Sequence, residues 1–166
     1  MVFLLTSCAV KVPKYEKRSM LKLTHLLQSL DANISISEAK RLSGAVYAQT
    51  VLLSKQFQMT SPPQYHNFLV NIGLKEKGLC YHWSDALYTY FSQETYPSFE
   101  FHLMGAYIGE YWREHNTLVV SAKGKEVKEG IVIDPWRDAG TLYFSRVKDD
   151  KQYPWEHRPT RGCKNK

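Results

Sequence analysis

The first half of the chain places apolar residues three and four positions apart, which predicts amphipathic helices. In a first helix, between residues 20 and 30, these residues are Met20, Leu23, Leu27 and Leu30. A second helix is predicted to open with a capping box over residues 35–38 and to end at the Pro-Pro pair 62–63. Its inward-facing residues are Leu42, Val46, Leu53 and Phe57.

A shorter helical segment is predicted around residues 68–72, and residues 75–78 then form a polar turn. After this turn helical spacing returns between Cys80 and Phe91, where Trp83 and Leu87 fall on one face. Cys80 is therefore predicted to lie at or near a helix N-terminus.

From residue 99 onward apolar and polar residues alternate, which predicts strands. The predicted strands cover residues 99–103, 117–120, 131–133 and 142–147. Helices followed by antiparallel strands predict an α+β fold, with N-terminal helices packed on an antiparallel sheet. Residues 19–150 are predicted to form one domain, of which residues 19–59 are a helical extension.

The net charge of +6 is concentrated at the two ends of the chain. Residues 1–18 carry +3 and residues 151–166 carry +4, so the body between them carries −1. A nucleic-acid-binding face needs basic residues clustered on the folded body, so we do not expect a nucleic-acid partner. Basic ends are typical of solvated termini or of contact with an anionic membrane surface, and we predict a basic tether at residues 1–18 and a basic C-terminal tail at 151–166.

The segment Leu5-Thr6-Ser7-Cys8 resembles the lipobox of bacterial lipoproteins, in which the cysteine is lipidated. This resemblance implies a lipoprotein anchored to a membrane through Cys8, in the bacterial cell envelope and facing the periplasm or the exterior. The alternative is a short apolar N-terminal strand with an ordinary buried cysteine. No stretch of the chain is long and apolar enough to cross a bilayer as a helix.

The three cysteines, Cys8, Cys80 and Cys163, are odd in number and form no CxxC pair. This argues against a disulfide framework and a structural zinc site, and Cys163 in the tail is interpreted as a free thiol. Cys80 differs from the other two because a helix N-terminus favours a thiolate and offers N–H groups to an oxyanion. Cys80 is therefore the candidate nucleophile.

His115 and Asp134 fall on two strands that are predicted to form a hairpin. With a two-residue loop at residues 124–125, the two residues would stand directly opposite each other on one face. His115 would then be the general base, and Asp134 would orient its imidazole. Pro135 lacks an N–H donor and should interrupt the ladder just after Asp134.

Other residues offer alternatives for these roles. Asp138 is an alternative orienting carboxylate, whereas Asn116 should point to the face opposite His115. His82 is two positions from Cys80 on a helix, hence a poor base and a candidate surface or cleft residue. His102 and His157 sit near aromatic residues and are interpreted as structural. A zinc site formed by them with Cys80 and His115 is the alternative, but their spacing matches no usual ligand pattern.

Three motifs together resemble the transglutaminase-like superfamily of papain-fold cysteine peptidases, over roughly residues 60–147. They are Gly-Leu-Cys80 opening a helix, Glu-His115-Asn on one strand, and Ile-Asp134-Pro-Trp on the next. The resemblance implies a papain/transglutaminase-like fold and thiol-dependent acyl transfer on amide bonds by a Cys80-His115-Asp134 triad. It also implies a peptide or protein substrate and no cofactor or metal.

The oxyanion hole is expected to combine the Cys80 backbone N–H with a side-chain donor from the preceding segment. The candidates are Gln64, His66, Asn67 and Asn71. Trp136 and Arg137 are candidates to line a cleft for an extended substrate. The alternative functions are a non-catalytic envelope binding module that retains the fold and cleft, and a basic-tailed scaffold on a membrane.

Overall fold

The structure is a computed structural model that describes residues 17–158. Within this range the helices are Lys17–Gln28 (α1), Ile36–Gln56 (α2), Pro63–Asn71 (α3) and Cys80–Gln93 (α4). The strands are Phe99–Ala106 (β1), His115–Ala122 (β2), Ile131–Asp138 (β3), Thr141–Arg146 (β4) and Glu156–His157 (β5). They form one antiparallel sheet in the order β4-β3-β2-β1-β5. The α+β prediction is confirmed.

The start of α2 fixes the helical layer to the sheet. The Ser35 hydroxyl accepts the backbone N–H of Glu38 at 3.2 Å, as the capping-box pattern predicts. The Glu38 carboxylate accepts the N–H of Ser98 at 3.0 Å. The side chain expected to complete the capping box thus connects α2 to the segment that enters β1.

The third helix begins earlier than predicted. A helix around residues 68–72 was expected, whereas α3 runs from Pro63 to Asn71. The Pro-Pro pair was interpreted as a helix breaker. Proline is also favoured in the first turn of a helix, because the backbone N–H groups of that turn have no acceptor within the helix and proline has no such N–H. The prediction of the helix start was therefore wrong.

Both faces of the sheet are covered, and every residue of the central strand β2 is buried. Leu118 and Val120 pack with the helices in the main core, together with Trp83, Leu87 and other residues. On the opposite face Val119 packs with Met104, Ala106, Val132, Val147 and Trp155. A residue at the start of β2 can therefore face either the helices or the C-terminal segment.

The register of β2 and β3 differs from the predicted one by two residues. The observed pairs are Leu118 with Ile133 and Val119 with Val132. A turn does form at Ala122–Lys125, where Lys125 N–H donates to the Ala122 carbonyl at 3.0 Å. The chain then makes a 3-10 turn at Val127–Glu129 before β3 begins, so the connection is longer than two residues. An even shift keeps every side chain on its predicted face.

The described part of the predicted C-terminal tail, residues 151–158, lies against the sheet. Trp155 joins the cluster on the face away from the helices, and β5 pairs with β1 through Met104 and His157. Cys8 and Cys163 lie outside the described residues. Among residues 17–158, no helix has the length and apolar character needed to span a membrane.

Candidate active site

Cys80 is the first residue of α4, as predicted, and 8% of its surface is exposed. The turn before it is held by two histidines. His82 Nδ1 accepts the backbone N–H groups of Gly78 and Leu79, both at 3.1 Å, and so caps the helix from within. Burial lowers the pKa of His82, and the charge of Lys77 lowers it further. The lowered pKa favours the neutral imidazole, in which Nδ1 can accept these hydrogen bonds. His82 is thus a capping residue and not the surface or cleft residue that was expected.

His66 supports the same turn and is fully buried. Its Nδ1 accepts the N–H of Thr60 at 3.2 Å, and its Nε2 lies 2.9 Å from the Lys77 carbonyl oxygen. Since Nδ1 is the acceptor, Nε2 carries the proton and donates to Lys77. Both ring nitrogens are engaged, so His66 is not free to donate to an oxyanion and was wrongly included among those candidates.

Substituting Gly78 by alanine is expected to reduce the free energy of unfolding by about 2–4 kcal/mol. Gly78 has φ of +124°, and an added Cβ would lie 2.0 Å from His66 Nε2. Urea unfolding measures the loss. Gly73→Ala is the matched control, because Gly73 also has positive φ (+79°) but no atom lies within 4 Å of the added Cβ. Equal losses in the two variants would contradict the proposed support of the turn by His66.

His115 and Asp134 form a buried ion pair on the sheet face away from the helices. His115 Nε2 lies 2.7 Å from Asp134 Oδ2, and the side chains are 2% and 1% exposed. The observed register makes them diagonal neighbours across β2 and β3, a separation that these side chains can bridge. Asp138, the alternative partner, lies at the exposed end of β3. The β3–β4 ladder is irregular between Asp134 and Asp138, as expected from Pro135.

The pair favours the charged form of both residues. Burial alone would lower the pKa of His115, but the charge and hydrogen bond of Asp134, with a smaller contribution from Cys80, raise it to about 9. Burial raises the pKa of Asp134, but His115 and Arg137 together bring it below the usual value. The site therefore holds an imidazolium against a carboxylate at neutral pH.

The second imidazole nitrogen of His115 is available for proton transfer. Nδ1 is buried and has no partner in hydrogen-bonding geometry among the described residues. Asn116, the next residue along β2, has its Nδ2 3.8 Å from Cys80 Sγ, so the thiol lies beside the same end of β2 as His115. The structure thus places Cys80 in the same region as the His115–Asp134 pair, and the three residues follow the chain order of a thiol triad.

Arg137 and Asp150 extend the site in a way that the sequence analysis missed. Arg137 Nε donates to Asp134 Oδ2 at 3.0 Å, and Arg137 Nη2 donates to Asp150 Oδ2 at 2.7 Å. Trp155 Nε1 also donates to Asp150 Oδ2, at 2.9 Å. Arg137 was expected to line a cleft, but its side chain is 9% exposed and fully engaged with these carboxylates. Arg137 thus shares Asp134 Oδ2 with His115, and its backbone N–H donates to Asp134 Oδ1 at 3.2 Å, which holds the carboxylate in place.

Aromatic rings surround the imidazole. The ring centroids of Tyr153, Trp136 and Trp155 lie 4.5, 4.6 and 5.5 Å from that of His115. Burial and, to a smaller extent, the charge of Asp134 raise the pKa of Tyr153 to about 12, so this side chain stays a neutral phenol. Two of these rings come from the C-terminal segment, where polar and basic composition gave no sequence signal of a role in the site. They exclude water from the ion pair.

Of the remaining oxyanion candidates, Asn67 is the one tied to the triad. Its Oδ1 accepts from Trp136 Nε1 at 3.0 Å, so the side chain is held beside the ring that packs on His115. Gln64 and Asn71 are exposed on α3. Trp136, expected in a cleft, is instead buried and links α3 to the imidazole.

His102 and His157 lie together on β1 and β5. His102 Nε2 lies 2.9 Å from Ser121 Oγ, and its ring packs against that of His157. Within residues 17–158, no group of three or more His, Cys, Asp or Glu side chains could hold a metal ion.

The chain was compared with known proteins in three ways. Comparison with protein-family models, with curated proteins and with solved structures finds no significant match. The functional assignment therefore depends on the chemistry of Cys80 and the residues around it.

Proposed function

We propose that this protein is a thiol-dependent acyl-transfer enzyme acting on amide bonds through Cys80, His115 and Asp134. The observation that carries the proposal is the buried His115–Asp134 ion pair, whose second imidazole nitrogen is left for a cysteine at a helix N-terminus. Ion pairs of this kind are costly to bury, and a buried titratable group beside a nucleophile is typical of an active site.

In the proposed reaction His115, as an imidazolium, already holds the proton of Cys80 on Nδ1, and the Cys80 thiolate sulfur attacks the amide carbonyl carbon. The Sγ–C bond forms, the C–N bond breaks, and the leaving amine takes the proton from His115. Water or a second amine then attacks the thioester and releases the acyl group. Hydrolysis, deamidation and transamidation differ only in the amine that leaves and the nucleophile that arrives.

The proposed oxyanion hole has two parts. The N–H groups of Gly78 and Leu79 are bound to His82, so the helix N-terminus offers those at the start of α4, beginning with Cys80. Asn67 is the proposed side-chain donor, because Trp136 fixes its Oδ1 and thereby directs its amide N–H₂ elsewhere.

We further propose a transglutaminase-like fold and a place in the bacterial cell envelope. The order cysteine, histidine, aspartate, with the cysteine at a helix N-terminus and the other two on antiparallel strands, supports the first proposal. The lipobox-like segment ending at Cys8 supports the second, with a lipid anchor in the membrane. Peptidoglycan peptides and envelope proteins would then be the substrate class.

The proposal is tested by incubating the chain with glutamine-containing peptides and peptidoglycan peptides and measuring release of ammonia or amine. Acid-quenched samples are searched for a thioester on the Cys80 peptide by mass spectrometry. We expect release and a Cys80 thioester in the wild type and in Cys163→Ala, and neither in Cys80→Ala. Absence of both products from every peptide, with a folded chain, would favour the non-catalytic binding module.

A further inference from the structure

Asn116, the residue after His115, approaches the Cys80 sulfur from the helical face of β2. Asn116 Nδ2 lies 3.8 Å from Cys80 Sγ, and the side chain is 6% exposed. Adjacent residues of a strand point to opposite faces, so His115 faces the C-terminal segment whereas Asn116 faces the helices. Cys80 lies beside the first residues of β2, where it contacts Asn116.

The orientation of the Asn116 amide is decided by Arg158. Arg158 Nη1 lies 3.0 Å from Asn116 Oδ1, and a guanidinium can only donate. The amide oxygen must therefore face Arg158, which directs the N–H₂ group to Cys80. Arg158 is held in turn by Glu114 and by its own backbone N–H, which donates to the Leu103 carbonyl at 2.9 Å.

We propose that Asn116 is a further catalytic residue, which donates an N–H to the Cys80 thiolate, and that Arg158 is a positioning residue that orients this donor. The inference rests on the proposed thiol chemistry of Cys80. Once the thiol proton has moved to His115 Nδ1, the anionic sulfur accepts from Asn116, and hydrogen bonding to the charged form favours that form. When the S–C bond forms, the sulfur loses its charge and this hydrogen bond weakens.

Asn116→Asp is expected to lower the rate of Cys80 alkylation by iodoacetamide at pH 6 by about tenfold or more. The carboxylate keeps the size of the side chain and the contact with Arg158, but it cannot donate to the sulfur. The pH profile of alkylation should move to higher pH. A wild-type profile in this variant would overturn the role of Asn116.

Arg158 provides the second test, which does not alter a group that touches Cys80. Arg158→Met should lower the pH 6 rate severalfold by freeing the amide to rotate, and Arg158→Lys should restore part of it by donating again to Asn116 Oδ1. Arg113→Met is the matched control, because Arg113 is an exposed arginine in the loop between β1 and β2 and pairs with Glu110. Equal rates in Arg158→Met and Arg113→Met would contradict the positioning role.

These outcomes separate the inference from the proposed function. Fast wild-type labelling at pH 6 that depends on His115 but not on Asn116 or Arg158 would overturn the inference alone. Wild-type labelling no faster than that of the unfolded chain would overturn both. If Asn116→Asp does not fold, the alkylation rates of Arg158→Met and Arg158→Lys test the role of Asn116 instead.

Discussion

Replacing His115 by alanine is expected to reduce the rate of Cys80 alkylation by iodoacetamide at pH 6 by about 100-fold. An imidazolium next to the sulfur favours thiolate, which is the reactive form, whereas a free thiol is less than about 1% thiolate at this pH. The measurement is the second-order rate constant, resolved for Cys80 by mass spectrometry. His115→Gln, which fills more of the space between the aromatic rings, should show the same loss.

His102→Ala is the control for this experiment. His102 is a half-buried histidine on β1 that bonds Ser121 and has no contact with the ion pair. Its substitution should change the Cys80 rate by no more than about twofold. A wild-type rate in folded His115→Ala would remove His115 from the mechanism.

The second large effect concerns stability, and it is best measured in Cys80→Ser, where no thiol titrates at the site. The contribution of His115 to the free energy of unfolding of this variant is expected to fall by on the order of 2 kcal/mol between pH 6 and pH 9. The pKa of His115 is raised, so its contribution is complete below its ordinary value of 6.5 and is lost as pH rises through the folded value. Burial and Asp134 dominate this pKa, and both remain without Cys80.

Adding Asp134→Asn to Cys80→Ser is expected to abolish this fall. Without the carboxylate, burial favours the neutral imidazole, and no proton is lost from the folded chain in that pH range. Urea titrations at the two pH values give the comparison. An equal change in stability between pH 6 and pH 9 in Cys80→Ser and in the double variant would show that Asp134 does not raise the pKa of His115.

Much of the fold could be predicted because it depends on local patterns. The apolar spacing that predicted α1, α2 and α4 reflects one buried face on each helix, and the position of Cys80 followed from the spacing after Gly78. The start of α3 was missed because one proline pattern serves both to end helices and to begin them.

The pairing of His115 with Asp134 was predicted with the wrong register but on the correct face. Strand periodicity fixes the face of a side chain, whereas the register depends on the length of the connection. The 3-10 turn at Val127–Glu129 lengthens the connection between β2 and β3, and no pattern of apolar residues in the sequence marks this turn.

The outer part of the site could not be predicted from local patterns. Arg137 meets Asp150, 13 residues later, because the chain returns after β4 to the end of β3. Tyr153 and Trp155 lie in a stretch whose basic, proline-containing composition resembles a solvated tail. The contact between Asn116 and Cys80 also depends on how α4 packs on β2. The spacing of residues within α4 or within β2 does not predict this packing.

The central claim is that Cys80 is an activated thiol, and its most direct test is the pH dependence of Cys80 alkylation in the wild-type chain. The rate is followed from pH 4 to pH 10 by site-resolved mass spectrometry, with Cys163 and the urea-unfolded chain as references. We expect Cys80 to remain reactive well below the pH at which both references lose reactivity. A Cys80 profile that coincides with the references, or a folded Cys80 that does not react at all, would contradict the thiol mechanism.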